Sequence, residues 1–116
     1  MPIPADYRDI VSVLAAKTEE GALNWDDTNL HVSVRVNASV FRLWAGVDEH
    51  SDEGFVAFGL FDNNGKVIDS WYLDESDIEY QGLHRLYRAA KRHAAGVPTL
   101  LKDLAAQIAA MSKDEN

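Results

Sequence analysis

Apolar residues between positions 5 and 20 recur with helical spacing. Tyr7, Ile10, Val11 and Leu14 fall at i, i+3, i+4 and i+7, which places them on one face of a helix over 5–20. Pro4 suits the first turn, where its missing N–H would be unpaired in any case. Asp6 and Asp9 favour the positive end of that helix, and Gly21 provides a left-handed stop. Leu23 and Trp25 then lead into a polar turn, Asp26-Asp27-Thr28-Asn29.

From residue 30 the period drops to two. Leu30, Val32, Val34 and Val36 point one way, and His31, Ser33 and Arg35 the other, as in a half-buried strand. Asn37-Ala38 is a short turn. Over 39–47 the alternation resumes, with Phe41, Leu43, Ala45 and Val47 on one side and Val40, Arg42 and Trp44 opposite. A charged loop (48–54) precedes a third strand at 55–61 and a fourth at 67–73. Between these two, Asp62-Asn63-Asn64-Gly65-Lys66 contains an Asn-Gly pair, the signal for a two-residue type I′ hairpin.

Ser76-Asp77-Ile78-Glu79 has the spacing of a capping box and predicts a helix start. Leu83, Leu86, Tyr87, Ala90 and Ala94 then mark one helix face. Gly96 stops that helix, and Val97-Pro98 opens a last one striped by Leu101, Leu104, Ile108 and Met111. The order is α-β-β-β-β-α-α. Four consecutive strands with short links predict an antiparallel β-meander, with helices covering one face, in a single α+β domain over 1–116. Residues 112–116 are polar and expected to fray.

The third strand breaks the alternation, being apolar on both sides. An Asn-Gly hairpin pairs Phe61 with Ile68, Ala57 with Tyr72, Phe58 with Trp71 and Val56 with Leu73. A second face then gathers Phe55, Phe61, Ile68 and Tyr72, where a one-sided sheet should be polar. Three readings follow. Helices cover both faces; or the face is an open patch for a partner or a second copy; or the rings line a small-molecule pocket.

Composition narrows the chemistry. The 116 residues contain no Cys, which excludes disulfides, zinc–thiolate sites and cysteine nucleophiles. No run of about 18 apolar residues occurs, and the N-terminus lacks a signal-peptide pattern, so a cytoplasmic protein away from membranes is expected. The net charge of −8 disfavours nucleic acid as a partner. It is unevenly spread, at −11 over residues 1–80 and +3 over 81–116.

The acids and His50 of the 48–54 loop match no metal-ligand spacing, and Asp62-x-Asn64-Gly65 lacks the later oxygen ligands of a calcium loop. The four histidines share no motif, and no nucleophile or base is singled out. The sequence points to no cofactor and no catalytic residue. The most pointed feature is helical: Arg85, Arg88 and Arg92 share a narrow sector opposite the apolar stripe, and 82–94 contains no acid. Such a stripe is either a solvated face or a seat for an acidic partner or the acidic half of another copy.

Leu23-Asn24-Trp25, the meander, Leu86-Tyr87-Arg88-Ala89-Ala90-Lys91-Arg92 and Ala94-Ala95-Gly96-Val97 together resemble small bacterial or phage-borne proteins without an assigned function. These share a helix, a tryptophan-bearing turn, strands and an L-Y-x-x-A-x-R helix. The resemblance implies no catalytic residues. The expected function is a small non-enzymatic protein-interaction or regulatory module. An immunity or inhibitor role fits the acidity, and a DNA mimic built on acids 48–53 and 74–79 is a third reading. Self-association as a homodimer is also expected, with Phe55, Phe61, Tyr72, Arg85, Arg88 and Arg92 as the interaction residues. A small-molecule binder or small enzyme, with a pocket between sheet and helices, is the alternative.

Overall fold

A computed structural model describes residues 3–28 and 30–111. The expected frayed tail, 112–116, lies outside the described residues. The chain runs α1 (Ala5–Glu19), β1 (Asp26–Asp27), β2 (Val32–Val36), β3 (Ser39–Val47), β4 (Gly54–Asp62), β5 (Val67–Asp74), α2 (Tyr80–Ala94) and α3 (Val97–Ala110). This is an α+β fold on one antiparallel sheet whose strands neighbour one another in chain order.

The sheet has five strands, not four. The additional strand is β1, which pairs Asp26 with Ser33 and Asp27 with Val32. Adjacent aspartates are poor strand formers and read as a turn. The following residue holds them in the sheet: the Thr28 N–H donates to the His31 carbonyl at 2.9 Å and its hydroxyl does so at 3.0 Å. An ion pair from Lys91 Nζ to Asp27 at 3.9 Å ties this edge to α2.

Two local expectations are also corrected. The β4–β5 hairpin is not a type I′ turn, because Gly65 alone in it has positive φ (85°). The Gly65 N–H donates to the Asp62 carbonyl at 3.1 Å and the Asp62 N–H to the Lys66 carbonyl at 2.9 Å, which is a three-residue loop closed by a left-handed glycine. Asp62 Oδ1 stabilises the loop by accepting from the Asn64 and Lys66 N–H groups, both at 2.9 Å. The register consequently shifts at Leu60/Phe61, and Phe61 faces Val67 rather than Ile68; the pairs 57–72, 58–71 and 56–73 form as expected. The capping box does not form either, since α2 starts at Tyr80 with no side-chain cap. The Asp77 carboxylate instead accepts from the Asp74 N–H at 2.9 Å, and Glu79 Oε1 accepts from the Ile3 N–H at 3.1 Å.

One face of the sheet carries the core. Val32, Val34, Leu43, Val56, Phe58 and Leu73 are buried there against Tyr7 and Leu14 of α1 and Leu83, Leu86 and Ala90 of α2. Phe58 stacks on Trp71 with ring centres 5.1 Å apart, and Tyr7 meets both rings edge-on at 5.6 and 5.7 Å. Such edge and offset geometries add to what burial alone contributes. α1 and α2 therefore lie on the same face, and the reading in which helices cover both faces is overturned.

The third helix, α3, joins neither layer. It touches the body mainly through α2, and every residue from Pro98 to Ala110 is exposed. The radius of gyration is accordingly 17.2 Å, against roughly 13 Å for a compact chain of this length.

Candidate functional site

The open face is built by strand alternation. Register places Trp44 beside Ala57 and Ala57 beside Tyr72 in one row, and Arg42, Gly59 and Ser70 in the next. Phe55 sits beside Gly46 and Phe61 beside Val40. The structure thus brings Phe55, Phe61 and Tyr72 together on this face, as the sequence predicts. Ile68 falls at the register shift and takes no part in that row.

Two glycines let the rings lie flat. A Cβ on Gly59 would stand 2.6 Å from Phe61 Cε1 and 3.2 Å from Trp44 Cζ3, so both rings lie over the bare backbone. A Cβ on Gly46 would stand 3.1 Å from the Phe55 ring. Ala57 is covered in the same way, at 4% exposure. The outcome is a low aromatic carpet on β3 and β4, with Tyr72 half-exposed at its border.

Arg42 lies within this carpet. The Arg42 guanidinium is 4.1 Å from the centre of the Phe61 ring, a cation–π contact. Arg42 makes no ion pair among the described residues, and its Nε is buried without a hydrogen-bond partner. Burial, and secondarily the Arg42 charge, hold the His31 imidazole below its ordinary pKa of 6.5. Trp44 is the ridge between two hollows. One, of about 340 Å³, is walled by Leu30, His31, Arg42 and Phe61; the other, of about 320 Å³, by Phe55, Ala57 and Tyr72. Flat rings beside this guanidinium suit apolar groups that carry a carboxylate.

The arginine stripe is a separate surface. Leu83, Leu86 and Ala90 of α2 are buried, so Arg85, Arg88 and Arg92 stand on the outer side of the helix layer, away from the open sheet face. None of the three has an ion pair among the described residues, and together with His84, Glu19 and Pro98 they line a hollow of about 480 Å³. In the 48–53 loop, Asp48 Oδ1 accepts from the His50 and Ser51 N–H groups at 2.8 and 3.2 Å. Among the described residues no group of three or more His, Asp or Glu side chains could hold a metal ion. Nor is any helix long and apolar enough to cross a membrane.

Sequence reasoning assigned Arg42 and Trp44 to one side of their strand without joining them to the aromatic patch. The available signal was the register of β3 on β4, which sets Trp44 opposite Ala57 and Arg42 opposite Gly59. Small residues on the central strand, flanked by large rings on its neighbours, mark such a face. Comparison of the chain with protein families, with curated proteins and with solved structures finds no match.

Proposed function

We propose that the protein is a non-enzymatic protein-interaction module whose working surface is the open sheet face. One observation carries this reading: α1 and α2 occupy the same side of the sheet, leaving Trp44, Phe55, Phe61, Tyr72 and Arg42, which has no ion pair among the described residues, on the other. Interface cores are enriched in aromatic residues and arginine, and truncating such anchors removes most of the binding energy. The partner is a protein that presents apolar side chains around a carboxylate, which meets the Arg42 fork. Arg85, Arg88 and Arg92 are a second contact surface for acidic groups of the same assembly.

The test is affinity capture with wild type and the variants Phe55→Glu and Phe61→Glu, followed by reconstitution with the purified partner. The variants should fold, as judged by far-UV circular dichroism and cooperative urea unfolding, and bind at least tenfold more weakly. Unfolded variants would show that the rings are core, and unchanged affinity would place the interface elsewhere.

The hollow at Arg42 favours a second reading, a binder of small planar anions held between guanidinium and rings. A thermal-shift screen of aromatic carboxylates tests it, because a ligand that binds only the native state raises Tm. Shifts in wild type that vanish in Arg42→Gln would favour this reading over the first.

A further inference from the structure

We infer that α3 is an exchange arm: it docks into an apolar groove on a second copy of this chain, which returns its own arm in a twofold dimer. Two unpartnered surfaces carry the inference. The first is α3 with the residue that follows it, where Leu100, Leu101, Leu104, Ile108 and Met111 are between 39 and 66% exposed. A helix of 14 residues is marginal in water without packing, so this one needs a seat.

The second is a groove of about 370 Å³ on the flank of α1 opposite α2, walled by Ile10, Val13, Leu23, Val36 and Phe41. Ile10, Val13 and Val36 are 37, 58 and 40% exposed there. Asp9 and Lys17 line its rim, and α3 carries one base and one acid, Lys102 and Asp103. Both surfaces are therefore near neutral, and the −8 of each copy lies largely off the contact.

The groove begins where the arm departs. Leu23 lines the groove and also the hollow at the root of α3, beside Thr99 and Lys102. Two copies related by a twofold axis near Leu23 would each pass an arm straight into the other's groove. The chain's own groove is a poorer target. The elbow between α2 and α3 is only Ala95-Gly96, and its groups are engaged: the Ala95 N–H donates to Lys91 at 3.0 Å, the Gly96 N–H to His93 at 3.1 Å, and the Gly96 carbonyl accepts from Leu100 at 2.9 Å. Closure onto the same chain would break these bonds, whereas a short, fixed elbow is the setting in which elements exchange between copies. Size also fits. A helix about 21 Å long and ~10 Å wide, buried along one whole side, removes at most roughly 800 Å² counting both surfaces. A reciprocal exchange then reaches at most about 1,600 Å², the size of a standard stable interface.

Light scattering after size exclusion tests the arrangement with the full chain. Wild type should have twice the 12.9 kDa chain mass, in low and high salt alike. Leu104→Glu on the arm and Val13→Glu in the groove should each give a folded monomer, with the cooperative unfolding of the body retained. An equimolar mixture of the two should recover dimer mass at higher concentration, because one intact arm and one intact groove remain. A monomeric wild type overturns the inference. So does a dimer that survives both substitutions. Loss with Leu104→Glu alone would mean that arms pair with each other, and no recovery on mixing would mean that an intact arm does not seat in an intact groove; either overturns it too.

Discussion

The Trp25 indole N–H donates to Thr18 Oγ1 at 2.9 Å, and the same hydroxyl donates to the Leu14 carbonyl at 2.6 Å. Both side chains are buried, Thr18 completely. The pair fastens the turn after α1 to the helix and so sets the position of Leu23 in the groove. Thr18→Val keeps the shape and removes the acceptor, leaving a buried indole N–H unpaired. The expected loss is about 1–3 kcal/mol, read as a lower urea midpoint with unchanged m-value. A loss within error would show that the hydrogen bond contributes nothing net.

Tyr7 couples stability to alkaline pH. Its hydroxyl donates to Asp69 Oδ2 at 2.9 Å. Burial first, then this bond and the Asp69 charge, push the phenol up from 10.0 to about 12. A raised native pKa means that the unfolded chain ionises first. The stabilisation is complete below pH 10 and is lost as pH rises from there towards about 12. Urea titrations at pH 8 and pH 11.5 should show wild type losing more stability than Tyr7→Phe, which has no phenol to ionise. Equal losses would refute the coupling.

The sequence contained most of this fold for a physical reason. Period-two runs such as 39–47 and helical stripes such as 83, 86 and 90 are imposed by burial on one side, and burial on one side is what the sheet and α2 provide. Asn37, with φ of 56°, and Gly21 and Gly96, at 76° and 73°, stand at the chain reversals where only such residues are comfortable. The failures are equally physical. β1 is held by the Thr28–His31 bonds and by the Lys91–Asp27 ion pair, not by any strand propensity of its aspartates, so the sequence pattern is silent there. Glu79 has the spacing of a capping residue, but its carboxylate is taken by the Ile3 N–H and by Arg8 at 3.4 Å, contacts from the other end of the chain. The stripe on α3 looks like a core face because local spacing cannot report whether a partner surface exists within the chain. Likewise, the aromatic excess on β4 was visible, but only the placement of α1 and α2 on one side shows that it faces solvent.

Gly59 tests whether the carpet must be flat. A methyl group there meets Phe61 at 2.6 Å and Trp44 at 3.2 Å, and the ring of Phe61 has to lift from the sheet. Lifting it separates the ring from Arg42 and exposes the Ala57 strip. Gly59→Ala should cost about 1–3 kcal/mol, as overpacking does. It should also shift the Phe61 ring resonances and weaken partner binding beyond what the stability loss explains. Unchanged chemical shifts for Phe61 and Trp44 would show that the rings do not need the bare backbone.

His31 should report occupancy of the Arg42 hollow. Burial, then the Arg42 charge, hold its imidazole below 6.5 in the free protein. A depressed native value means that the unfolded chain protonates first, so His31 costs no stability above pH 6.5 and increasingly destabilises the fold as pH falls below that value. Arg42→Gln removes the second cause and leaves the first. The His31 value should rise, by NMR titration, without reaching 6.5. A carboxylate docked on Arg42 offsets the same charge and acts on His31 in the same direction. Where docking buries His31 no further, binding takes up a proton, and affinity should increase as pH is lowered through the range in which His31 titrates, an increase that His31→Gln abolishes. An affinity independent of pH in wild type would place the docked carboxylate away from Arg42.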